Sequence, residues 1–371
     1  MRTDYTDTLT LTDLTLWKRL AQKRIPLAFD LELTARCNND CRHCSVNLPA
    51  DDAQAQQREL DFDEISALVD QAVSLGSLWC LLTGGEPLVR PDFPELYLCL
   101  RRKGLLVTVF TNACLVTEAH AKLLRDYPPR DVEVTVYGAN QQTYERVTRR
   151  PGSYAAFRRG LALLEQAGVR VRLKAMALAA NLHDLPAIAR FCREHTRDYF
   201  HFDPQLNLRC DHDSRRNRDI RAERLSPEQI VAVEQADAAQ AHALKKACEK
   251  LKTPAADRDN RLFRCGAGRN SFNIGYDGMF RLCGALNAAS CRYDLRAGSL
   301  ADAWLHFAPR ILDMQSQAPD FLAKCRACPL ADLCFWCPAH AELETGKLDG
   351  WCEYFCRVAH ARFEAAQKKI P

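Results

Sequence analysis

Hydrophobic residues in the first half of the chain form short runs that alternate with amphipathic stretches. Six runs are apolar on both faces, which is typical of strands in a parallel sheet that is covered by helices. The predicted strands are Leu27–Thr34, Leu78–Leu82, Leu105–Phe110, Val132–Tyr137, Val169–Leu178 and Tyr199–Leu206. The alternation therefore predicts an α/β fold built from right-handed βαβ units. The pattern does not distinguish an open sheet from a curved partial barrel.

The intervening helices have recognisable ends. Asp61 and Glu64 form a start that resembles a capping box, and Gly76 is a natural stop. Ser153 can cap a second helix, which ends at Gly168. These signals support the alternation of strands and helices.

The character of the chain changes after the sixth run. Arg209–Arg224 is rich in charge and indicates a linker or surface segment, which could also attract an acidic peptide. A helix over Pro227–Lys250, capped by Ser226, is predicted next. We therefore divide the chain into an N-terminal extension (1–25), an α/β core (26–208), a bridging linker and helix (209–264) and a cysteine-rich domain (265–371).

Composition narrows the function classes. The 371 residues carry a net charge of only +4, and no basic stripe interleaved with aromatic residues suggests nucleic-acid binding. The first residues do not resemble a secretory signal, and the apolar runs are too short to span a bilayer. We therefore expect a cytoplasmic protein. In a reducing compartment, 18 cysteines indicate metal binding more readily than disulfides.

Three cysteines follow the first predicted strand directly. Cys37, Cys41 and Cys44 lie on one eight-residue loop, and the carboxyl ends of parallel strands are the usual place for an active site in such folds. Zinc usually takes four protein ligands, or three when it is catalytic. Three thiolates suit a 4Fe-4S cluster with one open iron. A zinc site or a chance grouping remains the alternative.

A glycine-rich turn follows the second predicted strand. It comprises Thr83, Gly84, Gly85, Glu86 and Pro87. Glycine allows the backbone to approach a ligand closely, and Glu86 supplies a negative group for a ligand that carries an ammonium. The turn lies one βα unit after the cysteine loop, which makes the pair a specific signal.

This combination resembles the radical S-adenosylmethionine (SAM) superfamily over about residues 26–206. The resemblance implies a partial (β/α)6 TIM-like barrel and a 4Fe-4S cluster whose open iron binds SAM. Electron transfer into the sulfonium would release a 5′-deoxyadenosyl radical that abstracts a substrate hydrogen. By position in the family pattern, the further SAM contacts would be His43, Asn112, Thr135 and Lys174. A turn, a barrel-interior hydroxyl and a surface lysine are the structural alternatives for the last three.

The C-terminal cysteines resemble the SPASM extension of radical SAM enzymes, which carries two auxiliary clusters. Two CxxC pairs alone would also suit a zinc knuckle. The resemblance implies one cluster on Cys325, Cys328, Cys334 and a late cysteine, for which we predict Cys356 rather than Cys352. The other cluster would lie on three cysteines: Cys265, Cys283 and Cys337.

Two departures from the SPASM pattern affect the second of these clusters. No cysteine lies between Cys265 and Cys283, so its fourth ligand could be Cys291, Ser271 or a substrate thiol, or an iron could be open. Sulfatase-maturating members carry an aspartate where Gly284 stands here, which argues against that activity.

The resemblance implies an enzyme that modifies a peptide, such as a ribosomally made precursor, by crosslinking, oxidation or backbone rearrangement. Two alternatives are a radical SAM dehydrogenase of a small molecule and a non-enzymatic Fe-S electron carrier or scaffold. Asp203 and Tyr137, which end two predicted strands, are candidate catalytic residues. The expected partners are the precursor peptide, a flavodoxin- or ferredoxin-type electron donor and a stand-alone leader-peptide-binding protein. Only 36 residues precede Cys37, with room for one short helix, Leu11–Lys23. We therefore expect the peptide to be held by such a stand-alone protein, by the barrel mouth or by the basic segment Arg209–Arg224.

Overall fold

The computed structural model describes residues 23–196, 202–251 and 259–367. Within these ranges, the strands of the main sheet are β1 (Ala28–Thr34), β2 (Trp79–Gly84), β3 (Leu106–Thr111), β4 (Asp131–Thr135), β5 (Val171–Met176), β6 (Phe202–Asp203), β7 (Ser271–Ile274), β8 (Met279–Arg281) and β9 (Tyr293–Asp294). A two-stranded pair, Arg36–Cys37 with Leu48–Pro49, lies in the cysteine loop. Strands β1 to β6 therefore supply the alternating core.

The described helices are α1 (Ala53–Arg58), α2 (Phe62–Ser74), α3 (Phe93–Arg102), α4 (Glu118–Asp126), α5 (Gln141–Thr148), α6 (Ser153–Gln166), α7 (Leu185–His195), α8 (Ser214–Glu223), α9 (Pro227–Gln235), α10 (Ala238–Lys250), α11 (300–312), α12 (Pro338–Thr345) and α13 (Glu353–Gln367). A π-helical turn, Ala303–Phe307, lies inside α11. The capping box predicted at Asp61 and Glu64 is present at the start of α2.

The main sheet has the order β9-β8-β7-β1-β2-β3-β4-β5-β6. Strands β1 to β6 run parallel to their neighbours. The sheet is curved. Strands β1 and β5 are four positions apart in it, yet the ammonium of Lys174 on β5 is close enough to lower the pKa of Asp30 on β1. In a flat sheet these strands would stand roughly 19 Å apart, at about 4.8 Å per strand. The core is therefore a partial barrel whose inner face carries polar groups from distant strands.

The cysteine-rich region continues this sheet. Strand β7 pairs in parallel with β1, with Ala28 opposite Ser271. The rings of Phe29 and Phe272 stack at 5.4 Å between centroids, and Trp304 lies 5.8 Å from Phe272. One hydrophobic core thus extends from the barrel into the C-terminal region.

The bridging region differs from the prediction in two places. The expected linker Arg209–Arg224 contains helix α8, because Asp213 caps it and because Asn217, Ile220 and Glu223 form a buried face. The single helix predicted over Pro227–Lys250 is two helices, since Asp237 accepts hydrogen bonds that begin α10.

Some predictions cannot be compared with the structure. Residues 11–22 of the first predicted helix and residues 199–201 of the sixth predicted strand lie outside the described residues. In the part of the chain that is described, every helix is too short or too polar to span a bilayer.

Candidate functional site

The cysteine loop and the glycine turn are joined backbone to backbone at the carboxyl ends of β1 and β2. The amide of Gly85 donates to the carbonyl of Thr34 at 2.7 Å, and that of Glu86 donates to Arg36 at 2.9 Å. A Cβ on Gly84 would lie 2.1 Å from the Thr34 oxygen, and one on Gly85 would lie 2.3 Å from that of Arg36. Both glycines are therefore required for the contact between the two loops.

The three thiols of the cysteine loop lie near one another. Burial raises the pKa of Cys41 well above its ordinary value, and the neighbouring thiols of Cys44 and Cys37 raise it further. Burial and the charge of Glu86 do the same to Cys37. Thiolates become stable in such a place when a metal centre neutralises them. The donor set therefore fits an iron–sulfur cluster.

Glu86 is fully buried and its carboxylate organises the turn. One oxygen accepts from the Thr111 hydroxyl at 2.7 Å and from the Leu88 amide at 3.2 Å; the other accepts from the Asn112 amide at 2.7 Å. Burial raises the pKa of Glu86 to about 7, although these hydrogen bonds lower it. The carboxylate thus connects the ends of β2 and β3, whereas its predicted contact with SAM stays a prediction.

His43 and Tyr137 lie beside the thiols. Their ring centroids are 5.2 Å apart. Burial lowers the pKa of His43 to about 4, so the imidazole is neutral at pH 7, and its Nδ1 is buried without a hydrogen-bond partner among the described residues. Burial raises the pKa of Tyr137, and the charges of the three thiols add to this effect. Both side chains therefore contact the space expected for the cluster.

The other predicted SAM contacts lie along the same edge. The Asn112 side chain donates to Asn38 of the cysteine loop at 2.8 Å. Thr83 is opposite Glu32 in the β1–β2 ladder, and Thr135 is opposite Lys174 in the β4–β5 ladder.

Lys174 has contacts of its own. Its ammonium contacts the carboxylate of Glu133 and lies 4.0 Å from the centroid of the Phe110 ring. The structure therefore places this residue in an ion pair inside the barrel. Its predicted bond to the SAM carboxylate would have to compete with Glu133.

The residues that hold the cysteine loop from outside were not identified from the sequence. Arg209 is 3% exposed, and its guanidinium donates to the carbonyl oxygen of Asn47 at 3.1 Å. Glu223 at the end of α8 pairs with Arg42 at 2.5 Å. Two of the arginines that were considered for peptide attraction, Arg216 and Arg224, instead pair with acidic residues of the protein.

Five C-terminal cysteines surround a cavity of about 60 Å³, together with Trp336 and Trp351: Cys325, Cys328, Cys334, Cys352 and Cys356. Burial and the thiols of Cys334, Cys328 and Cys356 raise the pKa of Cys325 to about 11. The thiols of Cys328, Cys356 and Cys352 also raise the pKa of Cys334, and Cys352 has the smallest effect of the three. All five thiols therefore lie at one cavity, and the choice of Cys356 over Cys352 stays a prediction.

The remaining predicted ligands also lie together. Burial raises the pKa of Cys283 to about 11, and the thiols of Cys337 and Cys265 contribute. Cys291 is fully buried, and its thiol lies 3.7 Å from the Ser290 hydroxyl. Ser271 begins β7 opposite Ala28. The fourth ligand stays open between these alternatives.

Among the described residues, no three His, Cys, Asp or Glu side chains are arranged to hold a single metal ion. A 4Fe-4S cube requires a different geometry, because its ligand sulfurs bind separate corners. The thiol groups around Cys41, Cys283 and Cys334 are therefore compatible with clusters.

A cavity of about 340 Å³, which we call the mouth cavity, lies between the cysteine loop and the hairpin formed by β7 and β8. Ala35 and Gly84 line it on the barrel side, and Gly284 lines it on the other. Asp203 lies elsewhere: it is exposed at the end of β6, and its carboxylate accepts from the Gln205 amide at 2.9 Å. This position does not support a catalytic role in the mouth cavity.

Glu32, Arg281 and Cys210 also line the mouth cavity, and none was singled out from the sequence as a site residue. A signal for Glu32 was present, because Asp30, Glu32 and Thr34 are polar at alternate positions of an otherwise apolar strand.

The model of the radical SAM superfamily matches residues 31–192. The chain is 35% identical over 156 residues to an Fe-coproporphyrin III synthase of Methanosarcina barkeri, which is 42% of this chain and 38% of that protein. It is 30% identical over 160 residues to a PqqA peptide cyclase of Ruegeria pomeroyi, covering 43% and 42%. The chain thus spans less than half the length of these two curated relatives.

A solved structure resembles nearly the whole chain. SuiB of Streptococcus suis, bound to its precursor peptide SuiA, matches with a TM-score of 0.68 at 15% identity, covering 96% of this chain and 83% of SuiB. This likeness concerns the fold, and it includes the cysteine-rich region. The family match, with the cysteine loop and glycine turn inside it, shows that residues 31–192 contain a radical SAM domain.

Proposed function

We propose that this chain is a radical SAM enzyme that modifies a peptide or protein substrate in the mouth cavity. One observation carries the proposal. The loop of Cys37, Cys41 and Cys44 is joined by backbone hydrogen bonds to the turn of Gly84 and Gly85, at the edge of the barrel that borders the cavity. A SAM-cleaving centre and a space for substrate would therefore be neighbours.

The chain's own residues would prepare this site. The three thiolates would hold a 4Fe-4S cluster, which together with bound SAM supplies the 5′-deoxyadenosyl radical. Glu86 fixes the Asn112 amide, and Asn112 fixes the cysteine loop through Asn38. The neutral His43 ring offers an uncharged surface beside the cluster. These contacts hold the loop rigid and exclude water from its inner side.

The C-terminal cysteines would hold two auxiliary clusters. Cys265, Cys283 and Cys337 would bind one, and Cys325, Cys328, Cys334 and Cys356 would bind the other. Ligation at these sites would contribute to the stability of a region that is rich in loops. A flavodoxin- or ferredoxin-type protein would supply electrons, and a stand-alone protein would present the leader of the peptide.

A peptide is the favoured substrate class for two reasons. The mouth cavity has walls from both the barrel and the C-terminal region, so an extended chain could contact both. Among similar proteins, one is named a PqqA peptide cyclase, and SuiB was solved with its precursor peptide.

The test uses anaerobically purified protein with reconstituted iron and dithionite. We expect the wild type to form 5′-deoxyadenosine and to change the mass of a short peptide encoded beside its gene. Changing Cys37, Cys41 and Cys44 together to Ala should abolish 5′-deoxyadenosine while auxiliary iron remains. Cys99→Ala, which removes a half-buried thiol of α3, is the matched control. Undiminished SAM cleavage by the triple variant would contradict the proposal.

A second candidate is the modification of an anionic small molecule. Four arginines line the mouth cavity: Arg58, Arg209, Arg281 and Arg292. Arginine suits carboxylates, and one similar protein is named an Fe-coproporphyrin III synthase. Formation of iron coproporphyrin III from an anionic tetrapyrrole precursor, in place of peptide modification, would favour this candidate.

A further inference from the structure

Two polar side chains that line the mouth cavity, Glu32 and Arg281, form a group with Asn273 that the proposed function does not use. Glu32, Arg281 and Asn273 are 9%, 6% and 1% exposed. The Asn273 amide donates to a Glu32 oxygen at 3.2 Å, and the Arg281 guanidinium lies 3.8 Å from the same oxygen. Burying a carboxylate and a guanidinium is costly unless both are well paired.

This group retains unused hydrogen-bonding capacity. The other contact of Arg281, to Asp277, is 3.3 Å, longer than the roughly 2.7–2.9 Å of a strong charged hydrogen bond. Arg281 Nε and Asn273 Oδ1 are buried with no partner among the described residues. Buried polar groups are normally satisfied, and Glu32 and Arg281 line the mouth cavity, so a polar molecule in the cavity can reach this group.

The residue after Cys283 leaves the Glu32 carboxylate accessible. A Cβ on Gly284 would lie 3.4 Å from Glu32 Oε1 and 3.5 Å from the Asn273 amide nitrogen. A larger side chain at position 284 would therefore extend into the space that the carboxylate faces. Because Gly284 carries no side chain, the carboxylate from β1 faces the space beside the predicted cluster ligand.

We propose that Glu32 is the general base of the substrate reaction in the mouth cavity, and that Arg281 and Asn273 are positioning residues that orient its carboxylate. The inference rests on the proposed function. A substrate that is oxidised there loses one hydrogen as an atom to the 5′-deoxyadenosyl radical. It must also lose a proton and an electron, and the auxiliary cluster that Cys265, Cys283 and Cys337 would hold would accept the electron.

The proton step balances on the side chain itself. A substrate X–H bond breaks, its electron pair stays on X, and a new O–H bond forms on the Glu32 carboxylate. The protonated side chain then returns its proton to water through the open cavity, which restores the carboxylate for the next turnover.

The electrostatics agree with this geometry. Burial raises the pKa of Glu32, and Asp277 contributes in the same direction, while Arg281 and Asn273 lower it. Asp30 on β1 and Cys210 also face the carboxylate. A base is most effective when its pKa approaches the working pH, and a carboxylate in water is too weak.

The experiment moves the carboxylate rather than only removing it. Glu32→Gln and Glu32→Ala should lower product formation about 10²-fold or more, the usual contribution of a general base. Adding Gly284→Asp to Glu32→Ala returns a carboxylate to the same space and should restore part of the rate. Asp63→Asn, which changes an exposed carboxylate of α2 outside the cavity, is the control and should retain the wild-type rate. The probe is the peptide, or the anionic tetrapyrrole precursor, that the wild-type enzyme converts.

Two further readouts separate catalysis from folding. Iron content and substrate-free 5′-deoxyadenosine formation report whether each variant still loads its cluster and SAM. The wild-type rate of product formation should rise with pH through the pKa of Glu32, because only the carboxylate accepts a proton, and Glu32→Gln should lack this rise.

The outcomes are distinct. If loaded Glu32→Gln forms product at the wild-type rate, or if its pH profile is unchanged, the inference is wrong while the proposed function stands. If rescue by Gly284→Asp fails although the double variant is loaded, Glu32 acts by structure and not as the base. If the wild type cleaves SAM but converts neither probe, the inference falls with the proposed function.

Discussion

Several residues of the site are needed for the contact between the cysteine loop and the glycine turn as well as for binding a ligand. The sequence analysis attributed Gly84 and Gly85 to close approach by a ligand. The structure adds a second reason, because a Cβ at either position would overlap the backbone of the cysteine loop. Glu86 likewise uses both oxygens on neighbouring groups of the protein. A short motif can therefore identify the residues of a site correctly while their physical roles differ.

The choice between Cys352 and Cys356 is also a residue-scale question. We expect Cys356→Ala to lose about four irons and Cys352→Ala to keep them, because the longer interval before Cys356 gives the chain room to return to the other ligands. The Cys356 thiol is also among the groups that raise the pKa of Cys325. Iron content and the electron paramagnetic resonance spectrum of each reconstituted variant measure this. Loss of four irons only in Cys352→Ala would reverse the assignment.

At the scale of elements, the helix α8 decides how the cysteine loop is held. Its sequence is so rich in charge that composition indicates a linker, yet every third residue from Asn217 to Glu223 is buried. Ion pairs between Arg149 and Asp219 and between Arg42 and Glu223 connect it to the barrel side of the site. A charged helix can thus hold a distant loop in place through ion pairs with residues that lie far away in sequence; we call this contact of α8 with the cysteine loop the brace.

Arg209, just before α8, provides a test of this brace. Arg209→Ala should lower the free energy of unfolding by about 1–3 kcal/mol, because the buried carbonyl of Asn47 loses its donor. Iron of the first cluster should fall while auxiliary iron remains. Arg218→Ala, an exposed change on α8, is the control. Equal iron loss in both variants would show that the loop does not depend on this contact.

At the scale of the whole molecule, the barrel and the cysteine-rich region share one sheet. Strand β7 covers the edge of β1, and an uncovered edge strand invites association with other chains. The region is therefore a continuation of the barrel wall as well as a carrier of metal ligands. The mouth cavity lies between the two parts for this reason.

Phe272 is the residue at which this continuity can be measured. Phe272→Ala should cost about 3–5 kcal/mol, since a fully buried ring is removed. Calorimetry should show one transition at a lower temperature. Leu305→Ala, in α11 but 53% exposed, should have little effect. Two separate transitions, only one of them shifted, would contradict a shared core.

The sequence alone determined the alternating strands, the cysteine loop and the glycine turn, because each depends on neighbouring residues and on periodicity. It also indicated the ligand sets of the C-terminal cysteines through resemblance to a family. The strand ends were predicted to within a few residues; Val132–Tyr137 was observed at Asp131–Thr135.

Only the tertiary structure decided which distant groups meet. Glu32 and Arg281 are separated by most of the chain, and they face each other only because β7 and β8 extend the sheet beside β1. Helix α8 was not predicted, because its buried residues are mostly polar. They stabilise the helix through distant partners such as Arg42 and not through a local hydrophobic pattern. Long-range pairing and burial of charge are properties of the assembled fold, so local sequence patterns do not contain them.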